Sequence, residues 1–308
     1  MSLIERAVAR LSGRGEGAGT PGGGGQGAPV TGGTLAESAI VERVAHREHV
    51  IGTGGAPLPP MKVETVVTLG SLVELPLDSL RERGFATPAA RATVTGREFR
   101  SIKSLVLEKA FGSDAQKVKD GRRVIVTSST PGEGKTFCAI NLAMSVAATG
   151  DRPVLLVDAD VVRPSIAREM GIENAAGLID FLTGKQADPF SLILPTNVPN
   201  LKIVTAGTAK THSGELLACN AMGVFIDRIY ATFPDHLIII DTPPLLAVTE
   251  TRTLAQRAGQ IVMVVAAGDT PRKTVDTALA AIPAGCNVSF ILNKASHQAE
   301  TRGYYYGY

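Results

Sequence analysis

Val124-Ile-Val-Thr-Ser-Ser-Thr-Pro-Gly-Glu-Gly-Lys-Thr136 runs from strand-forming residues into a glycine-rich turn and a Lys-Thr pair. Gly132 and Gly134 let the backbone turn so that successive N–H groups point inward, and the positive end of the following helix adds attraction for anions. Such a cradle suits the phosphates of a nucleoside triphosphate, with Lys135 reaching the β- and γ-phosphates and Thr136 offering its hydroxyl to Mg2+. The strict G-x-x-x-x-G-K-[ST] pattern wants glycine where Ser129 stands. The flanks supply what the pattern lacks: Val124 to Thr127 is a buried-strand run, and Phe137 to Ala148 is apolar and long enough for a helix ending near Gly150.

Two motifs downstream extend this reading. Val154-Leu-Leu-Val-Asp-Ala-Asp160 is a buried strand whose end presents Asp158 and Asp160, alternate residues that share a face and can serve one Mg2+–phosphate centre. Leu237-Ile-Ile-Ile-Asp-Thr-Pro-Pro244 is a second apolar strand ending in a carboxylate, Asp241, in the Walker B form. Each aspartate taken alone could merely cap the next helix. Together with the glycine turn they mark the carboxyl ends of the strands of an open α/β sheet, where ligands bind.

The rest of the composition excludes other classes. The chain has 308 residues, 44% of them hydrophobic, enough for one sizeable core and a smaller appendage. A net charge of +2 gives no electrostatic case for nucleic acid as the main partner. Cys138, Cys219 and Cys286 are scattered, which suits a reducing compartment and core thiols rather than disulfides or a metal cluster. No apolar run approaches a membrane span, so the expectation is a cytoplasmic protein, peripheral at the inner face of the plasma membrane at most.

Along the chain, Met1 to Leu11 reads as a short cationic amphipathic helix that could dock on a membrane surface or a partner, and Gly13 to Gly33 as a flexible linker. Ala36 to Val50 reads as helical and Gly52 to Pro60 as loop. A helical turn is expected from Leu77 to Arg83, and a longer helix within Ala89 to Phe111 with Phe99, Ile102, Leu105 and Val106 on one face. From Arg123 strands and helices alternate, with strands expected at Val124–Thr127, Val154–Val157, Leu201–Thr205, Leu237–Ile240, Ile261–Val265 and Val288–Leu292. The implied organisation is an N-terminal extension over 1–60, a helical linker or oligomerisation region over 61–120, a nucleotide-binding domain over 121–295 and a tail over 296–308. The last strand ends in Asn293-Lys294, where a nucleotide base should lie. Ser296 stands where a guanine site would want Asp, which favours adenine, with Asn293 as the base contact.

Tyr304, Tyr305, Tyr306 and Tyr308 crowd four of the five tyrosines into the last five residues. A core does not need that. The bland readings are an edge strand, a sticky terminus or an interface patch; the sharper one is a set of phosphoacceptors, on a segment that could extend roughly 40 Å to a neighbouring site.

At this point the chain resembles the bacterial tyrosine kinases of capsule and exopolysaccharide synthesis. The residues that carry the likeness are Pro131-Gly-Glu-Gly-Lys-Thr136, Val157-Asp-Ala-Asp160 with Arg163-Pro164, Gly214-Glu-Leu-Leu217, Asp241-Thr-Pro-Pro244 and the terminal tyrosines. The Met-Ser-Leu-Ile-Glu opening, Phe137 after the Lys-Thr pair and the tyrosine-rich ending are most similar to the autokinases encoded beside exosortase systems. The resemblance implies a P-loop NTPase fold of the deviant-Walker, Min/Par-like class: a mainly parallel central sheet flanked by helices, behind a low-complexity N-terminal extension. It implies ATP and Mg2+ as cofactors. Pro131, Gly132, Glu133, Gly134, Lys135, Thr136 and Phe137 would hold the nucleotide, and Thr136, Asp158, Asp160 and Asp241 the metal, Asp160 and Asp241 directly or through water, with Asp158 also the candidate base that takes the tyrosine proton. It also implies three partners: a separate membrane chain-length regulator that activates the kinase, further copies of the chain, as in the rings such kinases form, and a cognate tyrosine phosphatase.

Some positions depart from the family's pattern. Phe137 stands where many members have Ser or Thr, Val162 replaces an arginine before Arg163-Pro164, and the ring-forming E-x-x-R-x-x-R helix appears as Arg97-Glu-Phe-Arg-Ser-Ile-Lys103. The rival reading is a positioning ATPase like the Min and Par proteins without tyrosine kinase activity. Thr130 stands in place of their signature lysine and counts against it.

Overall fold

The computed structural model describes residues 40–48, 61–173, 175–208 and 213–295. Met1–Leu11, the glycine-rich tract, the Gly52–Pro60 stretch, Ser296 and Tyr304, Tyr305, Tyr306 and Tyr308 lie outside the described residues.

The alternation read from Arg123 onward builds one seven-stranded sheet. Its strands are β3 (Arg123–Ser128), β4 (Val154–Asp158), β5 (Leu194–Pro195), β6 (Leu201–Val204), β7 (Leu237–Asp241), β8 (Gln260–Ala266) and β9 (Val288–Asn293). They lie in the order β5-β6-β4-β7-β3-β8-β9. All neighbours run parallel except the two-residue β5, which pairs antiparallel with β6 at one edge.

A strand's side chains alternate between faces, and the hydrophobic core divides accordingly. Val124, Val126, Leu156 and Ile239 join one buried cluster, while Ile125, Leu155, Val157, Ile238 and Ile240 join the other across the sheet. The helix α3 (Lys135–Thr149) follows the glycine turn and ends at Gly150, which takes a left-handed conformation (φ 75°). Every residue of α3 from Phe137 to Ala147 is buried. A helix apolar on all sides must be covered on all sides, and α3 lies between the sheet and α2 (Val94–Phe111). Before α2 comes the short helix α1 (Leu77–Glu82). Cys138 sits inside α3, fully buried with its thiol pKa pushed up by desolvation, so it is a core thiol; Cys219 and Cys286 are half-buried and unpaired.

Two expectations fail here. Ala36 to Val50 was expected to be helical, but Ile40–Glu48 is the strand β1, paired antiparallel along its length with β2 (Met61–Leu69). The apolar residues of the segment, Ile40, Val41, Val44 and Ala45, follow a helical spacing, and pairing with β2, which does alternate, overrides it: Val67 and Leu69 are buried against the main sheet's cluster with Ile40 beside them. Leu105 was expected on the buried face of α2. It is 61% exposed, because the stripe that meets α3 runs through Gly96, Phe99, Lys103, Val106 and Ala110.

The hairpin β1–β2 is tied to the body by Lys202 on β6, whose ammonium lies 3.2 Å from Glu42 Oε1. The same ammonium sits 3.1 Å from His236 Nε2, and the His236 ring packs on Phe233 at 4.8 Å between centroids. Burial first, then the charges of Lys202 and Arg122, push the His236 pKa down to about 3. The unfolded imidazole takes up a proton below its ordinary pKa while the folded one refuses it, so the stability contributed by neutral His236 is present in full above about pH 6.5 and is lost as pH falls toward 3. Replacing His236→Gln should therefore reduce, by about 2 kcal/mol, the stability lost between pH 7.5 and pH 5. Urea unfolding at the two pH values measures this; an unchanged loss would show that another group sets the acid limb.

Candidate active site

The sheet register assembles the site. Asp158 on β4 pairs directly with Asp241 on β7, and Asp241 pairs with Val126 on β3, two residues before that strand ends at Ser128 and the chain enters the phosphate loop. Three strand ends thus present their chemistry at one level.

The loop itself needs two glycines in the left-handed region, Gly132 (φ 88°) and Gly134 (φ 92°). At Gly134 a Cβ would also fall 2.1 Å from Asn293 Nδ2, so the position excludes any side chain twice over. Ser129, where the strict pattern asks for glycine, keeps a negative φ and is fully buried, which explains why glycine is dispensable there. Glu133 turns its carboxylate away from the cradle. Oε2 accepts from the Thr130 N–H at 2.6 Å and Oε1 from the Thr270 hydroxyl at 2.6 Å, while its carbonyl accepts from Asn293 Nδ2 at 2.9 Å. Of Glu133, only the backbone N–H remains to meet a phosphate.

Lys135, the first residue of α3, reaches Asp160 Oδ2 at 2.7 Å and lies 4.0 Å from Asp241 Oδ1. Thr136 donates its hydroxyl to Asp241 Oδ2 at 2.6 Å and accepts from the Ser165 hydroxyl at 3.1 Å. Burial opposes the Lys135 ammonium, but Asp241 and Asp160 outweigh it and raise its pKa above the ordinary lysine value. Burial also raises Asp158 and Asp241 above the usual carboxylate range, and the nearby charge of Asp241 adds to the effect on Asp158.

Asp158 is wholly buried. Its Oδ1 accepts from the Asp160 N–H at 3.1 Å, and its Oδ2 accepts from the N–H groups of Ser165 and Ile166 at 3.1 and 3.0 Å. It therefore holds the turn that leads into α4 (Ile166–Met170). Asp160 accepts from the Arg163 N–H at 2.9 Å and keeps its other oxygen on Lys135.

A cavity of about 800 Å3 opens between the phosphate loop and the loops that follow β4 and β7. Lys135, Thr136, Asp160, Val162 and Pro243 are on its walls, with Phe137 at one end. Phe137 packs its ring against Phe85 at 5.1 Å between centroids, the planes tilted by 41°, so the residue that replaces a hydroxyl here contributes an apolar wall. Glu133, Asp158, Asp241 and Asn293 do not line the cavity. Asn293, expected at the base, instead uses its amide to hold the loop at Glu133, and is 2% exposed.

The donor set suits a hard divalent cation. Asp241 Oδ1 is buried without a hydrogen-bond partner, next to the Thr136 hydroxyl and the Asp160 carboxylate. Among the described residues no three His, Cys, Asp or Glu side chains form a ready metal cage. A cation that keeps several waters and shares phosphate oxygens needs only one or two carboxylates. Sequence reasoning missed Ser165 and Thr270. Ser165 carries a local signal, since it precedes the short apolar run Ile166–Met170; Thr270 carries none, because its partner lies 137 residues away.

The ParA family model, described as NUBPL iron-transfer P-loop NTPase, matches residues 119–279, just over half of the chain. The EpsB protein of Ralstonia nicotianae is 37% identical over 164 residues, covering 53% of this chain and 21% of EpsB. The tyrosine-protein kinase YwqD of Bacillus subtilis is 30% identical over 181 residues, covering 59% of this chain and 72% of YwqD. The kinase domain of the Escherichia coli tyrosine kinase ETK superimposes with a TM-score of 0.51 at 30% identity, over 60% of this chain and 71% of that domain. The chain thus spans about a fifth of EpsB but most of YwqD. With a phosphate loop, aspartates at and just beyond two strand ends and this breadth of likeness, the chain belongs to the bacterial tyrosine-protein kinases, a branch of the ParA-type P-loop NTPases.

Proposed function

We propose that the chain is an ATP-dependent tyrosine autokinase that phosphorylates Tyr304, Tyr305, Tyr306 and Tyr308 of a neighbouring copy. The observation that carries this reading is Lys135, Thr136 and Asp160 on the wall of a cavity large enough for a nucleotide and an incoming side chain, with Asp241 buried behind them on the Thr136 hydroxyl. It is supported by the chain's kinship with proteins named as tyrosine kinases.

The phenolic oxygen of the acceptor forms a bond to the γ-phosphorus, the bond from that phosphorus to the β–γ bridging oxygen breaks, and ADP leaves. Transfer of this kind asks for positioning and charge neutralisation more than for covalent chemistry. Lys135 supplies a fixed positive charge at the transferred group. Thr136, Asp160 and Asp241 would hold Mg2+, which when bound neutralises phosphate charge. Asp160 is engaged by Lys135, so the proton of the phenol goes to Asp158, whose raised pKa fits a base working near neutrality. Because Asp158 is buried behind the turn that leads to α4, the acceptor hydroxyl reaches it only when residues 161–165 give way.

In this reading each phosphate adds roughly −1.5 to −2 charges to the tail, so neighbouring tails repel and a ring of subunits loosens. A tyrosine phosphatase resets the cycle, a separate membrane chain-length regulator starts it, and the cycle times exopolysaccharide synthesis at the inner face of the membrane. No helix among the described residues is long and apolar enough to cross a membrane, which fits an activator on another chain.

Incubation with Mg2+ and ATP, followed by phosphosite mass spectrometry of the C-terminal peptide, tests the reading. Phosphate is expected on Tyr304–Tyr308 in the natural protein, none in Lys135→Met, and at least a hundredfold less in Asp158→Asn with nucleotide binding retained. A bare tail while ATP is still hydrolysed, even with an activator segment added, would move the assignment to a positioning ATPase. The loop clasp gives a separate expectation. Thr270→Val removes a hydrogen bond to a buried carboxylate and should raise KM for ATP by roughly tenfold with kcat little changed, while Thr270→Ser restores it. Serine behaving like valine would dismiss the clasp.

A further inference from the structure

The strand β9 has β8 on one side and no strand on the other among the described residues. Val288, Phe290 and Leu292 share one of its faces. Val288 packs into the small cluster beneath the helix Arg272–Ala280, with Met263 and Ala278. The cover ends there: Phe290 is 54% exposed and Leu292 65%. The opposite face shows no such gap, since Ile291 is buried in the main cluster and the Lys109 ammonium, on α2, meets Ser289 Oγ at 2.7 Å.

A free strand edge with large apolar residues beside it is a template for pairing, and natural sheets cover such edges. This chain carries a cover of its own. It leaves β9 through Lys294, which takes a left-handed conformation (φ 60°) uncommon outside turns for a residue with a side chain, and whose ammonium lies 3.7 Å from Asp269 Oδ2. Beyond Ala295 stand residues 296–308, a reach of roughly 40 Å against about 20 Å for β9. Residues 296–303 suffice for the return, and Tyr304-Tyr-Tyr-Gly-Tyr308 then comes to the strand. Tyrosine favours strands, and in an extended chain Tyr304, Tyr306 and Tyr308 share a face.

We propose that the tail docks in cis on the free edge of β9, with Tyr304–Tyr308 pairing antiparallel as an added strand and Tyr304, Tyr306 and Tyr308 lying against Phe290 and Leu292. Aromatic cross-strand pairs stabilise such ribbons. A tethered segment meets the edge at an effective concentration in the millimolar range, which favours it over a second copy presenting the same edge. The docking stands apart from the kinase reading. Only its consequence rests on that reading: a docked tail withholds its tyrosines from a neighbouring site, and phosphates on them disrupt the apolar contact that holds them.

The test is amide hydrogen exchange, read by mass spectrometry on the full chain stripped of any phosphate by a tyrosine phosphatase, so that it holds whether or not the chain is a kinase. Peptides covering 288–293 and 304–308 are expected to exchange slowly. Ending the chain at Gly303 should speed exchange over 288–293 roughly tenfold, and Phe290→Ser with Leu292→Ser should do the same over 304–308, with β3 and β7 unchanged as the check that the sheet is intact. Leu105→Ser, exposed on α2, should change neither peptide. Exchange over 288–293 that ignores the truncation, or over 304–308 that ignores the paired replacement, overturns the proposal. So does protection that fades on dilution together with a fall in sedimentation coefficient, which would give the edge to a second copy.

Discussion

One ammonium group among three carboxylates holds this molecule's working end together. Lys135 meets Asp160 directly and Asp241 at the edge of contact, with Asp158 paired beside Asp241 in the sheet. Buried carboxylates so close cannot all ionise without a compensating cation, and the strands bring them together regardless, because their register is set by apolar residues further back. The cost of that convergence is met partly by Lys135 and partly by backbone N–H groups, three of which point at Asp158. Such a site is complete only in company, with a nucleotide's phosphates and their counter-ion completing the charge balance.

Asp158 illustrates why a bland and a sharp reading of one residue need not compete. As a cap it fixes the turn that brings Ser165 to the Thr136 hydroxyl. As a buried acid whose affinity for protons is raised by that same burial, it has the chemistry of a base. The hydrogen bonds that orient the carboxylate also keep it from solvent.

What could be read in the sequence was whatever a single strand or turn announces by itself. The six long strands of the main sheet are apolar runs bounded by turns, and the glycine turn with its Lys-Thr pair lies where one of them ends. What escaped depends on partners far along the chain. β1 reads as helix until β2 lies beside it, and the two-residue β5 is too short to carry a period of its own. Asn293 looked like a base contact because of its place after the last strand, yet its amide meets a carbonyl 160 residues earlier. Thr270 has no motif around it, and Leu105 falls just off a stripe that only the position of α3 defines.

The contact between Asn293 and the loop at Gly134 also orders events in time. Residues 129–136 are synthesised long before β9 exists, but the loop's carbonyl at Glu133 finds its donor, and the space beside Gly134 is filled, only once the final strand has docked at the sheet edge. On the ribosome the nucleotide cradle of a growing chain therefore lacks this clasp until β9 has emerged and docked.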